Sequence, residues 1–113
     1  MFTSRRIFML LACATRAGAA FAQDKYPSKT IRLIVPFPPG ASTDILGRTI
    51  AQKLSTSMGV PVIVDNKGGA SGTMGSEQLA RSAPDGYTIG VAVPATHSLP
   101  VALARKVPYD PIK

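Results

Sequence analysis

The sequence predicts an α/β fold, a parallel βαβαβ sheet with helices packed on its faces. Apolar, β-branched runs of strand length occur three times, at residues 30–35, 60–64 and 87–93. Amphipathic helical segments separate the first run from the second and the second from the third. Strands that alternate with helices form right-handed βαβ units, which place the strands parallel to one another.

The first helix is predicted over residues 43–58. Its apolar residues recur every four positions, at Leu46, Ile50, Leu54 and Met58. Gly59 follows where a left-handed C-cap residue is expected. The predicted helix starts with residue types that cap helix N-termini, namely Ser42, Thr43 and Asp44.

The rest of the chain continues the alternation. The second strand is apolar on both faces, which is typical of a central parallel strand. A second helix is expected over residues 73–82, weakened by Gly75, and a short third helix over residues 99–106. Between the second helix and the third strand, the sequence Pro84-Asp85-Gly86 predicts a turn.

The three loops that follow the strands are the candidate binding site, because ligands bind outside the carboxyl ends of parallel strands. The first loop has three prolines and a glycine before a helix N-terminus, a setting that suits a small anion. Its alternative interpretation is an ordinary capped βα turn. The candidate residues are Phe37, Gly40, Ala41, Ser42, Thr43, Asp44, Gly69, Ala70, Ser71, Thr96 and His97.

These candidates have different expected roles. The N–H groups of residues 40–44, with the hydroxyls of Ser42 and Thr43, are expected to hold the anion, and residues 69–72 offer a second set of N–H groups. Asp44 is expected to cap the helix rather than touch a ligand. Phe37 either lines the pocket or packs in the core, and His97 is either a ligand contact or structural.

The first 22 residues are predicted to be an export signal. Arg5 and Arg6 precede a short apolar stretch, and an A-x-A cleavage site ends at Ala22. The pattern is twin-arginine-like, with Sec export as the alternative. Cys13 is the only cysteine and would be the modified residue of a lipoprotein, the less favoured alternative. A periplasmic location is therefore expected.

Charge and composition favour a binding protein over an enzyme. The formal net charge is +7, or +4 without the three arginines of the predicted signal, which favours anionic partners. The scattered basic residues and the absence of Trp argue against nucleic acid. After residue 22 there is no cysteine, no paired carboxylate and no His/Asp/Glu cluster, so neither catalysis nor a metal is expected. The alternatives are a fragment of a nucleotide-binding or hydrolytic α/β enzyme, and a truncated product without function.

Residues 26–44 (YPSKTIRLIVPFPPGASTD) resemble the opening of the tripartite tricarboxylate transporter substrate-binding proteins, also called the Bug family. Later segments agree in order and spacing: VDNKGGA at 64–70, APDGYT at 83–88, Thr96-His97, and VPYDP at 107–111. Ala41 departs from the family's usual second glycine, and residues 66–69 replace its commoner Asn-Arg-Pro-Gly. Either departure could change which ligand fits.

The resemblance implies a receptor that closes two α/β lobes around a small carboxylate and delivers it to a membrane permease. Residues 23–113 would be the incomplete first lobe of a periplasmic-binding-protein fold, with the second lobe absent. Ser42 and Thr43 would hold the carboxylate, and the loop at Thr96 and His97 would add polar contacts. No cofactor is implied, and a monomer is expected.

Overall fold

The computed structural model describes residues 25–112. Within them, the strands are β1 Ile31–Val35, β2 Val62–Asn66 and β3 Thr88–Gly90. The α-helices are α1 Ser42–Met58, α2 Thr73–Ala80 and α3 Ser98–Ala102, and a 3₁₀ turn at Ala70–Gly72 leads into α2. The predicted export signal, with its lipoprotein alternative at Cys13, lies outside the described residues.

The three strands form one parallel sheet in the order β2-β1-β3. Leu33, in the middle of β1, pairs with Val64 of β2 on one side and with Ile89 of β3 on the other. The prediction of a parallel α/β sheet is confirmed. The expectation that the second strand is central is wrong, because the chain crosses back past β1 to form β3. β1 is accordingly almost wholly buried, whereas Ile63 of β2 is 56% exposed.

The two longer helices cover opposite faces of this sheet. A Cβ added at Gly47 of α1 would lie 2.7 Å from Cγ2 of Val35, which identifies the face that α1 covers. Leu79 of α2 packs over Gly90, the register partner of Ile34. Since Ile34 and Val35 are consecutive in a strand, their side chains point to opposite faces. The glycines allow both helices to approach the sheet closely.

The buried face of α1 differs from the predicted row of large apolar residues. Asp44, Gly47 and Ala51 are buried, whereas Leu46 is 54% and Ile50 39% exposed. The sheet therefore contacts the small residues of the helix, spaced three and four apart, because they permit the shortest helix–sheet distance. The prediction from side-chain size was wrong for these two residues, although the helix itself is confirmed.

Several elements differ from their predicted bounds. α2 ends at Ala80 rather than at residue 82, and β2 spans Val62–Asn66 rather than residues 60–64. The third strand ends at Gly90 rather than at residue 93, because the Val93 carbonyl instead accepts the N–H groups of Thr96 and His97 in a turn. The third helix ends at Ala102 rather than at residue 106. In the part of the chain that the structure describes, we find no helix whose length and apolar character would let it cross a bilayer.

We expect Gly47→Ala to lower the free energy of unfolding by about 1–3 kcal/mol, because the added methyl overlaps Val35. Helix propensity alone predicts that the alanine raises the free energy of unfolding by roughly 1 kcal/mol. The sign of the measured change therefore shows whether packing or helix propensity dominates. Urea denaturation followed by circular dichroism measures it. The control is Ser57→Ala on the exposed face of α1, where no loss is expected. A stabilised Gly47→Ala variant would contradict the packing assignment.

Candidate functional site

The candidate site lies where the chain leaves the three parallel strands. We define the first loop as residues 36–41, the second as residues 67–72 and the third as residues 91–97. The sheet changes its direction of growth between β1 and β3, and at such a switch point an open α/β sheet is expected to form a crevice between the flanking loops, here the first and the third. Ligands of open α/β sheets bind at such a crevice.

The three loops touch at Gly72. A Cβ at this position would lie 2.6 Å from Cγ2 of Thr96, 3.4 Å from Cζ of Phe37 and 3.4 Å from Cβ of Pro36. Gly72 is itself buried and has a φ of 89°. The prediction that the loops gather at one edge is therefore confirmed. Phe37 is half-buried at this junction, between the pocket-lining and core roles expected for it.

Asp44 organises the first loop instead of capping the helix. Its Oδ2 accepts hydrogen bonds from the Gly40 N–H at 2.9 Å and from Arg48 Nε at 3.0 Å, and its side chain is buried. The N-cap position belongs to Ala41, which makes no side-chain capping bond. The predicted capping by Ser42, Thr43 and Asp44 is thus wrong, because Asp44 folds back onto the loop.

The hydrogen bonds to Asp44 also set its ionisation. The Gly40 N–H, then the side chains of Asn66 and Arg48, lower the pKa of Asp44 from 3.8 to about 2. Asp44 is therefore a carboxylate at neutral pH. Because Arg48 carries the opposite charge 3.0 Å away, a second anion near the start of α1 meets less repulsion than an unpaired aspartate would cause.

Asn66, at the end of β2, joins the first loop to α1. Its Nδ2 donates to the Phe37 carbonyl at 3.1 Å and to Asp44 Oδ1 at 2.9 Å, and its Oδ1 accepts from Arg48 Nη2 at 3.3 Å. Asn66 is not among the site residues predicted from the sequence. The signal for it was its place in the VDNKGGA segment at 64–70.

The start of α1 keeps backbone donors for a ligand. The Ala41 carbonyl accepts the N–H groups of Asp44 and Ile45, at 2.9 and 3.1 Å. Within residues 25–112, the N–H groups and hydroxyls of Ser42 and Thr43 have no hydrogen-bond partner. Ser42 is exposed and Thr43 half-buried. Together they present two N–H groups and two hydroxyls next to the first loop, a donor set that suits an anion.

The second loop takes an unusual backbone conformation. Its φ angles are 127° at Gly69, 48° at Ala70, 55° at Ser71 and 89° at Gly72. Left-handed Ala and Ser each cost on the order of 1–2 kcal/mol, so the surrounding contacts must hold them there. Ala70 and Ser71 are exposed, and their N–H groups have no partner among the described residues. They are a second group of donors.

The third loop is braced by Thr96. This residue is fully buried, and its hydroxyl lies 3.0 Å from the Val93 carbonyl and 2.7 Å from Nδ1 of half-buried His97. The hydroxyl of Thr96 is thus engaged within the loop, and its contact with a ligand stays a prediction. The structure brings Phe37 and Thr96 together at Gly72. Among residues 25–112, no hydrogen bond joins either of them to Ser42 or Thr43.

The site supplies hydrogen-bond donors. Across residues 25–112, no three His, Cys, Asp or Glu side chains lie close enough to hold a metal ion. In the same span, every buried side-chain nitrogen and oxygen has a hydrogen-bond partner. The Asp44 carboxylate is bound by its own loop and helix.

We expect Gly72→Ala to destabilise the fold by about 2–5 kcal/mol, because the new methyl adds overlap with Thr96 to the strain of a left-handed alanine. The matched control is Gly40→Ala. Gly40 has nearly the same φ, 87°, but no atom within 4 Å of an added Cβ, so about 1–2 kcal/mol is expected.

Thr96→Ser in the Gly72→Ala background should recover part of the loss, since it removes Cγ2 and keeps the hydroxyl. Denaturation of the two single variants and the double variant gives the coupling energy. Strictly additive losses would show that the loops do not meet at this contact.

The ionised Asp44 predicts an acid-dependent difference between the wild-type protein and Asp44→Asn. Because the folded-state pKa lies below 3.8, ionised Asp44 stabilises the fold above that pH, and the contribution disappears as the pH falls through about 2. At pH 6 the wild-type protein should have a higher free energy of unfolding than the variant. The difference between the two should become smaller between pH 4 and 2. Urea denaturation at each pH tests this. A gap that is constant with pH would refute it.

Comparison with known proteins places this geometry in a family. The sequence pattern of the tripartite tricarboxylate transporter family receptor (TctC) matches residues 46–113, more than half of the chain. The protein BugT of Bordetella pertussis is 43% identical over 96 residues, which cover 81% of this chain and 28% of BugT.

Solved structures give the same result. One described as a periplasmic transporter is 50% identical, with a TM-score of 0.71, and covers 78% of this chain and 30% of that one. MatC from Rhodopseudomonas palustris, solved with bound malate, is 37% identical, with a TM-score of 0.71 over 76% of this chain and 29% of that one. The present chain thus spans less than a third of each of these relatives. It belongs to the family of tripartite tricarboxylate transporter receptors, as its resemblance to the Bug proteins predicted.

Proposed function

We propose that the protein is an extracytoplasmic receptor that binds a small carboxylate at the candidate site. The observation that carries the proposal is that, among the described residues, the N–H groups and hydroxyls of Ser42 and Thr43 at the start of α1 have no hydrogen-bond partner. The malate bound to MatC, a relative with the same local fold, supports a carboxylate as the anion.

A carboxylate suits these donors chemically. Its two oxygens can each accept more than one hydrogen bond, and the positive end of the α1 dipole favours negative charge. Hydrogen bonds to a charged group contribute roughly 1.5–3 kcal/mol each. The N–H groups of Ala70 and Ser71, and the third loop at His97, are available for a second polar group of the ligand.

We further propose that the ligand is enclosed between this part and a second lobe, and is handed to a permease of the tripartite tricarboxylate transporter type. The family's description and the predicted export signal support this proposal. One lobe alone leaves much of a ligand exposed to water. Residues 23–113 alone would therefore bind the ligand far more weakly than the two-lobed protein. Transport requires no catalytic step in this protein.

Calorimetric titration with malate and other carboxylates, using two variants of Ser42, tests the site. Ser42→Ala removes the hydroxyl alone. Ser42→Pro removes the hydroxyl and the N–H, and proline is tolerated at the first helical position. The preceding residue, Ala41, already has the φ of −69° and ψ of 160° that a following proline requires. We expect affinity to fall about tenfold for Ser42→Ala and further for Ser42→Pro.

The matched control is Ser57→Ala, the same change near the other end of α1, which should leave affinity unchanged. Thr43→Val should weaken binding as Ser42→Ala does, since it removes the neighbouring hydroxyl. Unchanged affinity in Ser42→Pro and Thr43→Val would place the carboxylate elsewhere. Binding of a nucleotide in place of any carboxylate would contradict the receptor function and favour a nucleotide-binding protein.

A further inference from the structure

Tyr109 lies outside the residues predicted for the site, in the segment that follows α3. Its hydroxyl donates to the Thr96 carbonyl at 2.6 Å, and its ring centroid is 6.1 Å from that of His97. Thr96 is fully buried, and within residues 25–112 Tyr109 is the hydrogen-bond partner of its carbonyl. Tyr109 therefore restrains the third loop at the residue whose methyl group lies beside Gly72.

The contacts of the Thr96 hydroxyl favour one tautomer of His97. The oxygen lies 3.0 Å from the Val93 carbonyl, 3.4 Å from the Val93 nitrogen and 2.7 Å from His97 Nδ1. A carbonyl only accepts, so the bond to Val93 forms when the hydroxyl hydrogen points to that carbonyl. The hydroxyl oxygen then accepts from the Val93 N–H and from Nδ1, which must carry a hydrogen for all three bonds to form.

This tautomer decides what the ring presents to a ligand. With hydrogen on Nδ1, the neutral imidazole has its lone pair on Nε2. Nε2 has no hydrogen-bond partner among residues 25–112. The other tautomer would present an N–H there instead, so the chemistry of His97 toward a ligand depends on how Thr96 is held.

We propose that Tyr109 is a positioning residue of the ligand site, which fixes Thr96 and through it the Nδ1–H tautomer of His97. Without the phenol hydroxyl, the buried Thr96 carbonyl loses its partner, and the turn from Val93 to His97 must rearrange to satisfy it. The effect on His97 needs no ligand, whereas the effect on binding rests on the proposed function.

The test compares Tyr109→Phe with Tyr26→Phe. Tyr26 also donates its hydroxyl to a backbone carbonyl, that of Gly86 at 2.7 Å, at the opposite end of the sheet. Both variants lose one phenol hydroxyl and keep the ring, so they are matched in chemistry and differ in place. Since the protein has a single histidine, its imidazole ¹⁵N signals are assigned without ambiguity.

In the wild-type protein and in Tyr26→Phe, the ¹⁵N spectrum should show hydrogen on Nδ1. Tyr109→Phe should show a mixture of the two tautomers. Malate affinity should fall about 3- to 10-fold in Tyr109→Phe and stay unchanged in Tyr26→Phe. An affinity loss without the change of tautomer would indicate a merely structural role and overturn the proposal.

The two proposals fail separately. An unchanged Nδ1–H tautomer in Tyr109→Phe would refute the positioning role, whatever the variant does to malate binding. A changed tautomer, in a protein whose wild type binds no carboxylate, would support the positioning of His97 and count against the proposed function alone.

Discussion

The arrangement of the site depends on a contact that only glycine permits. At Gly72 the loops that follow the three strands converge, and the space that a Cβ would occupy is already filled by the methyl of Thr96 and by the edge of Phe37. Segments distant in sequence thereby become neighbours at one edge of the sheet. Gly47 and Gly90 likewise leave the space that α1 and α2 need in order to approach the strands closely.

Two residues at the start of α1, Asp44 and the N-cap residue Ala41, set the electrostatics of the first loop. Asp44 satisfies the Gly40 N–H and is neutralised by Arg48, while Asn66 bridges both to the Phe37 carbonyl. The N-cap is an alanine, whose side chain accepts no hydrogen bond. The first N–H groups of α1 consequently keep their hydrogen-bonding capacity, where a serine or aspartate N-cap would have consumed part of it.

Strain in the second loop and bracing in the third show how the surrounding structure holds these segments. Ala70 and Ser71 adopt left-handed conformations that neither would prefer, next to a buried glycine packed against two other loops. The third loop closes on itself through Thr96 and is anchored from outside by Tyr109. The second loop is thus held by its contacts with the other two loops, and the third by its own turn together with the bond from Tyr109, which favours a preorganised site.

Patterns in the sequence predicted the α/β class, the parallel pairing, the first two helices and the edge at which the loops meet. These features follow from local periodicity, turn residues and the handedness of βαβ units, all of which are encoded over short stretches. The resemblance to the Bug proteins added the family, and with it the expectation of a carboxylate.

Contacts between distant parts of the chain set which strand is central, which face of α1 is buried, and where Asp44 directs its carboxylate. Strand order depends on the direction in which each crossover connection runs. The amino-acid composition of a strand does not reveal that direction. The buried face of α1 was set by helix–sheet distance, which favoured Gly47 and Ala51 over the larger Leu46 and Ile50. The roles of Asn66 and Tyr109 arise from hydrogen bonds to Phe37 and Thr96, partners 29 and 13 residues away, and such partners become adjacent only when the chain is folded.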